Sequence, residues 1–313
     1  MQKTPTSKII ILKHGGGELA NQLWNYISIY AYGLEKNLPV INPSFFEYHS
    51  FFRLIDNESA WTKFLSLQFR YYSGRRSGVW SRFWRFVYLL YAYVIGMRKE
   101  SIVSSQNQSN IVTYLPPSSP LDPLTKLAGS NRAYFIGWLF RDPVGLKKFR
   151  HRIISAFRPK QSVEERLVKI LTPLREKYKN IIGIHIRQSD YAGFKGGVFV
   201  ITQSRAREIA DELLKEKKLS AQETIFLLTS DGPMESDTWK GLNVYFSKEN
   251  AVTDLFLLSA TDAIIGSDSS FGAFASWYGN IAHIVMTQKP IDWNYYAGHK
   301  EFFENKYCTL AHY

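Results

Sequence analysis

The alternation of short apolar runs with amphipathic helical stretches in the second half of the chain constrains the fold more than any other feature. Apolar runs at 181–186, 225–229, 263–265 and 282–286 are separated by helical patterns at 164–179, 205–217, 253–260 and from 270 onward. Strands spaced by helices of this length predict βαβ crossovers, which impose a parallel sheet with helices on both faces. The N-terminal part opens the same way. An apolar run at 9–12 leads through a glycine-rich turn to helical spacing over 21–36, with Leu23, Tyr26, Ile27, Tyr30 and Leu34 on the apolar stripe, and then to a strand at 38–41. Residues 43–130 are the least regular, and the Ser/Asn/Gln-rich and Pro/Ser-rich runs within 104–120 predict loops; a strand resumes at 134–138. No internal repeat is visible. The chain of 313 residues is long enough for two Rossmann-like halves joined near 155–162, so the expected class is α/β with two such domains facing a cleft.

An open parallel sheet binds ligands beyond the carboxyl ends of its strands. Three such ends carry polar, basic or glycine-rich residues. The first is His-Gly-Gly-Gly-Glu-Leu-Ala-Asn-Gln at 14–22, where glycines allow close backbone approach and the following helix start suits an anion. It lacks the Gly-Lys-Ser/Thr ending of a nucleoside-triphosphate loop and the GxGxxG spacing of a dinucleotide fold. The second is the strand ending in His185, Arg187 and Asp190; residues two apart share a face, which sets an imidazole beside a bidentate phosphate binder. In isolation, such a pair is more often a core histidine and a structural salt bridge. The third ends in Ser267, Asp268, Ser269 and Ser270 directly before a helix, an arrangement suited to a diphosphate, although a plain N-cap uses the same residue types.

Charge sharpens the choice of partner. Residues 1–160 hold 22 basic and 8 acidic residues, a net +14, whereas the remainder nets −2; an anionic partner is expected on the first half. The lone cysteine, Cys308, excludes an intrachain disulfide and favours a reducing compartment. The opening apolar run is four residues long, so no signal anchor is expected. The stretch 75–99 is unusual: Arg75, Arg76, Arg82 and Arg85 precede an apolar run at 86–97, Arg98 and Lys99 follow it, and Trp80, Trp84, Tyr88, Tyr91 and Tyr93 are interleaved. That composition fits either an interfacial helix on anionic lipid or an aromatic core helix with a solvated basic rim.

Taken in order, the Asn-Gln loop at 14–22, the His-x-Arg-x-x-Asp-Tyr strand end at 185–191, the Ser230-Asp231 pair after an apolar strand, and Ser-Asp-Ser-Ser-Phe at 267–271 resemble the alpha-1,2-fucosyltransferase family, glycosyltransferase family 11. They are also similar to alpha-1,6- and protein O-fucosyltransferases. The runs at 134–140 and 151–157 have counterparts too, so the resemblance covers nearly the whole chain outside 43–130. It implies a glycosyltransferase-B fold, with 1–158 as the acceptor-side domain carrying the insertion 43–130 and 159–313 as the nucleotide-sugar-binding domain. It further implies an inverting, metal-independent transfer of fucose from GDP-fucose to a glycan hydroxyl. Carried over by position, Arg187 binds the β-phosphate, His185 and Asp254 meet the guanine side, and Ser270 meets the diphosphate. Asp231 and Ser269 belong to the same nucleotide-sugar set, as do Gly16, Gly17 and Asn21 of the first loop, Asn21 facing the sugar and diphosphate. The catalytic set is Arg187, Asp190 and Asn21, with Asp190 or Glu18 as the base. Several positions depart from the family pattern: Gln188 replaces a second arginine, Ser189 a glycine, Glu18 and Ala20 loop glycines, and 272–274 a tryptophan pair.

No Asp-x-Asp pair occurs in the sequence, so no metal cofactor is expected. The expected partners are a GDP-sugar donor, a glycan or lipid-linked oligosaccharide acceptor, and an anionic membrane surface through 75–99. Nucleic acid is not among them, because no nucleic-acid module is legible. The expected location is cytoplasmic, peripheral on the inner face of the membrane. The alternative from another class is a peripheral membrane protein that binds nucleotide or acidic lipid without turnover.

Overall fold

The computed structural model describes residues 7–13, 17–54, 64, 79–96, 102–104, 112–127, 131–188, 200–298, 302 and 306–307. The chain forms two compact units, Met1–Lys160 and Gln161–His312, each with its own parallel sheet.

Unit 1 contains β1 (Lys8–Lys13), α1 (Leu19–Glu35), β2 (Val40–Ile41), the single-turn α2 (Phe46–His49), α3 (Val79–Gly96), β3 (Ile102–Ser104), β4 (Thr113–Tyr114), β5 (Arg132–Ile136), β6 (Phe140–Arg141), α4 (Pro143–Lys148) and α5 (Arg150–Ala156). Its main sheet has the order β2-β1-β5-β3, all parallel, so the glycine-rich loop leaves a central strand. Helix α1 is buried along most of its length, with Trp24, Ile27, Ile29 and Tyr32 fully enclosed. Its buried polar residue Asn25 is satisfied across the fold: Nδ2 donates to the Gly137 carbonyl at 3.0 Å, and Oδ1 accepts from Phe140 N at 3.2 Å. A buried amide left unpartnered there would cost about 1–3 kcal/mol.

Unit 2 contains α6 (Gln161–Lys177), β7 (Asn180–Ile186), α7 (Gln203–Glu216), β8 (Thr224–Ser230), β9 (Asn243–Phe246), α8 (Ala251–Ser259), β10 (Ala263–Gly266), α9 (Ser270–Gly279), β11 (His283–Val285) and α10 (Trp293–Gly298). The five strands lie in the order β11-β10-β7-β8-β9, all parallel, the doubly wound arrangement expected from the sequence. Period-2 alternation assigns the two faces of β7. Ile182, Ile184 and Ile186 pack with Phe226, Leu228 and Ile265 under Ala206, Ile209 and Leu213 of α7. Ile181, Gly183 and His185 point to the other layer. A Cβ on Gly183 would lie 2.7 Å from Leu258 Cδ2, so a glycine is what lets α8 settle on the sheet.

Sequence patterning misses the short elements of this fold, β3, β4, β6, α2 and α10 among them, and two further cases have a clear reason. Strand β9 is half-buried along its four residues, an edge strand too short to show alternation. Helices α4 and α5 were not expected, yet Asp142-Pro143 is a helix-start signature: the Asp142 carboxylate accepts from Gly145 N at 2.8 Å and proline fills the first turn.

Candidate functional site

Strands β7 and β10 are neighbours whose connections leave in opposite directions, β7 toward β8 and β10 toward β11. In an open α/β sheet this switch point is where a crevice forms beyond the carboxyl ends. The residues immediately past these strands interlock. Ser267, fully buried, donates its backbone N–H to the His185 carbonyl at 3.1 Å, and its hydroxyl accepts from Arg187 N at 3.1 Å. The Arg187 side chain extends to the residue that follows β8, where Nε lies 3.1 Å from Asp231 Oδ2. The other oxygen of Asp231 accepts from Gln188 N at 2.7 Å. One carboxylate therefore holds both the guanidinium and the backbone that carries it.

Gln188, next to Arg187, has its amide turned inward. Nε2 donates to Ser230 Oγ at 2.8 Å and to the Pro233 carbonyl at 3.0 Å, and Ser230 Oγ in turn donates to the Ile186 carbonyl at 2.9 Å. This side chain ties β7 to the loop after β8 instead of offering a second cation.

His185 lies beneath this layer. It is 4% exposed, its ring stacks on Phe271 with centroids 4.7 Å apart, and Nδ1 is 3.4 Å from Ser269 Oγ. Burial, then the positive charge of Arg187, pushes its pKa down to about 4, so the imidazole is neutral at physiological pH. His283 on β11 is likewise held down to about 3 by burial and by His185. Ser269 is the N-cap of α9, its hydroxyl accepting from Gly272 N at 3.4 Å, and Ser270 opens the helix. The positive end of the α9 dipole thus starts at the switch point.

Asp254 belongs to a second cluster, at the end of β9. It lies in the first turn of α8, which is capped by Asn250 accepting from Val252 N and Thr253 N at 3.0 Å each. Burial pushes the Asp254 carboxyl up to about 7; the bond that Oδ1 accepts from Ser247 Oγ opposes the shift, and the nearby Glu249 carboxylate adds to it. Glu249 is paired with Arg166 at 2.6 Å.

In unit 1, Gly17 adopts φ +76°, and a Cβ there would sit 2.5 Å from Asn21 Nδ2. Glycine at this position both permits the left-handed turn and leaves room for Asn21 at the start of α1. Glu18 is the N-cap residue of α1, and its Oε2 accepts from Tyr48 OH at 3.2 Å. Gly16, Asp190, and residues 75–78 and 97–99 lie outside the described residues. Among the described residues no group of three or more His, Cys, Asp or Glu side chains is placed to hold a metal ion.

No family model and no curated protein sequence matches the chain. Solved structures do. NodZ alpha-1,6-fucosyltransferase soaked with GDP-fucose superposes with a TM-score of 0.52 at 12% identity, covering 88% of this chain and 94% of that one. A point mutant of Arabidopsis thaliana FUT1 in complex with GDP gives 0.51 at 13%, covering 96% and 74%. POFUT1 in complex with GDP-fucose gives 0.50 at 12%, covering 93% and 97%. The chain has the fold of these fucosyltransferases.

Within that fold, the structure brings His185, Arg187, Asp231 and Ser269 into one connected cluster, with Ser270 next to it on α9, and sets Asp254 at the end of β9. Sequence reasoning missed Phe271 as the plate under His185, Ser247 as the partner of Asp254, and Tyr48 as the partner of Glu18. Phe271 was visible in the Ser-Ser-Phe motif; Ser247 and Tyr48 meet their partners only through tertiary packing.

Proposed function

We propose that the protein is an inverting glycosyltransferase that moves fucose from GDP-fucose to a glycan hydroxyl in alpha-1,2 linkage without a metal ion. The observation that carries this reading is the arginine fixed by Asp231 at the switch point of unit 2, in a fold whose solved relatives include complexes with GDP-fucose and GDP.

In this reading the acceptor oxygen attacks C1 of fucose on the face opposite the diphosphate. The C1–O bond to the β-phosphate breaks and its electron pair leaves with GDP. The acceptor proton passes to a carboxylate, Glu18 or Asp190. The charge developing on departing GDP is met by the Arg187 guanidinium, whose orientation the Nε–Asp231 contact sets, and by the start of α9 at Ser269 and Ser270. His185, expected at the guanine side, is buried and neutral, and in this reading it acts instead as a positioning residue that holds Ser269. Asp254, once ionised, accepts two N–H groups from guanine, a pattern uracil does not present. Gly16, Gly17 and Asn21 of the first loop serve the sugar and diphosphate. The acceptor is a glycan or a lipid-linked oligosaccharide, and the work is done at the cytoplasmic side.

A thermal-shift panel of GDP, UDP, CMP and ADP sugars tests the donor. GDP-fucose at about a hundred times its dissociation constant is expected to stabilise by about 2.7 kcal/mol, with UDP sugars inert. Equal shifts with UDP sugars would remove the guanine assignment.

A further inference from the structure

Helix α3 is seated on unit 1 by a narrow stripe. Tyr88 and Ala92 are buried against Leu12 and Phe46, with Trp84 and Ile95 partly buried beside them. Tyr88 OH donates to the Leu12 carbonyl, and Arg85 on the flank of the stripe pairs with Glu47. Beside this stripe the helix exposes an apolar face: Trp80 is 58% exposed, Phe86 64% and Tyr93 65%, with Phe83, Leu90 and Val94 between them. At about 100° per residue these positions fill an arc of about 140°. Taking roughly 200 Å² for each of these side chains at a little over half exposure, the exposed apolar area is on the order of 700 Å², above the roughly 300–600 Å² of the largest patch on an ordinary monomer. An apolar surface of this size needs an occupant.

The surrounding charge identifies it. From residue 59 to residue 99 the sequence contains eight basic residues and no acidic one, and Arg82, exposed, stands at the border of the apolar arc. The 18 residues of α3 extend about 27 Å, yet no helix among the described residues is long and apolar enough to cross a membrane. A helix with a broad exposed apolar arc, Arg82 at its edge, Trp and Tyr along it and a sequence around it that is basic and free of acid matches the chemistry of a bilayer interface: rings and aliphatic groups at the acyl boundary, guanidinium groups among anionic headgroups. A protein groove that received the same arc would need a matching acidic rim. We infer that α3 is a docking face for an anionic lipid bilayer, lying flat in its surface. This inference rests on α3 alone and stands or falls separately from the transfer reaction.

The full chain is tested by co-flotation with vesicles of phosphatidylcholine alone and of a phosphatidylcholine–phosphatidylglycerol mixture. Wild type is expected to float with the mixed vesicles, weakly with the neutral ones, and to be released in part by added salt. The triple variant Trp80→Gln, Phe83→Gln, Phe86→Gln is expected to bind the mixed vesicles at least roughly a hundredfold more weakly. Because these side chains face solvent, its melting temperature should stay near wild type; the variant Leu90→Gln, Val94→Gln on the same arc supplies an independent reading if the first does not fold. Flotation of the variants equal to wild type, or no flotation of wild type, would overturn the inference. So would light scattering that shows a lipid-free wild-type dimer abolished by the triple variant, since a second copy would then be the occupant. Transfer to a soluble acceptor should be unchanged in both variants.

Discussion

The protonation of Asp254 makes donor affinity depend on pH in a way that can be calculated. Its carboxyl is pushed up to about 7 in the free protein, so at pH 6 it is mostly neutral, and a neutral carboxyl cannot accept both guanine N–H groups. Ionising it on binding costs RT ln(1 + 10^(7−pH)), about 1.4 kcal/mol at pH 6 and less than about 0.1 kcal/mol at pH 8. The dissociation constant should therefore rise about tenfold from pH 8 to pH 6, with about 0.9 proton released per molecule bound at pH 6. Calorimetry in buffers of different ionisation enthalpy reads both quantities. GDP-fucose is the right ligand, because free GDP has a terminal phosphate that titrates in the same range. Asp254→Asn should lose the pH dependence and weaken binding by about 2–4 kcal/mol, since one charge-assisted bond is lost and two donors come to face each other. A flat profile for wild type, or an Asn variant that retains the slope, would refute the assignment of Asp254 to guanine.

The same ionisations shape stability. His185 and His283 are held near 4 and 3, below the unfolded value, so the stability they confer is complete above about pH 6.5 and is lost as pH falls, by up to about 1.4 kcal/mol per pH unit for each ring. Asp254, raised to about 7, opposes this between about pH 4 and 7; denaturant melts should show Asp254→Asn to have a steeper acid loss than wild type, and an unchanged slope would refute the opposing role. Gly17→Ala should destabilise by about 1–3 kcal/mol in a thermal melt, because the new Cβ meets Asn21 at 2.5 Å in a left-handed turn; a neutral result would show that the loop re-forms without cost. EDTA should leave the transfer rate unchanged, and inhibition reversed by Mn²⁺ would contradict the metal-free mechanism.

Much of this was legible in the sequence because it depends on periodicity. The strands of unit 2 show as β-rich apolar runs separated by helices, and once the sheet is parallel their polar ends must line one edge. That reasoning reaches Arg187, Ser269 and Ser270 without coordinates. It does not reach the Arg187–Asp231 contact or the inward clamp of Gln188, because both depend on the register of β7 against β8, which sequence spacing does not specify. The partial exposure of α3 was likewise hidden: an aromatic helix looks the same in sequence whether one face or all of it is buried, and only its placement on Leu12 and Phe46 separates the two.

The central claim is that Arg187 neutralises the charge on GDP as it leaves, and it is tested most directly by the rate of GDP release from GDP-fucose in EDTA for wild type, Arg187→Lys and Arg187→Ala. Lysine keeps the positive charge but loses the planar fork and the Nε contact to Asp231. Wild type should turn over, with both variants slower by at least about a hundredfold, the loss usual for one charge-stabilising donor. A lysine variant of near-normal rate, or no release by wild type, would contradict the account.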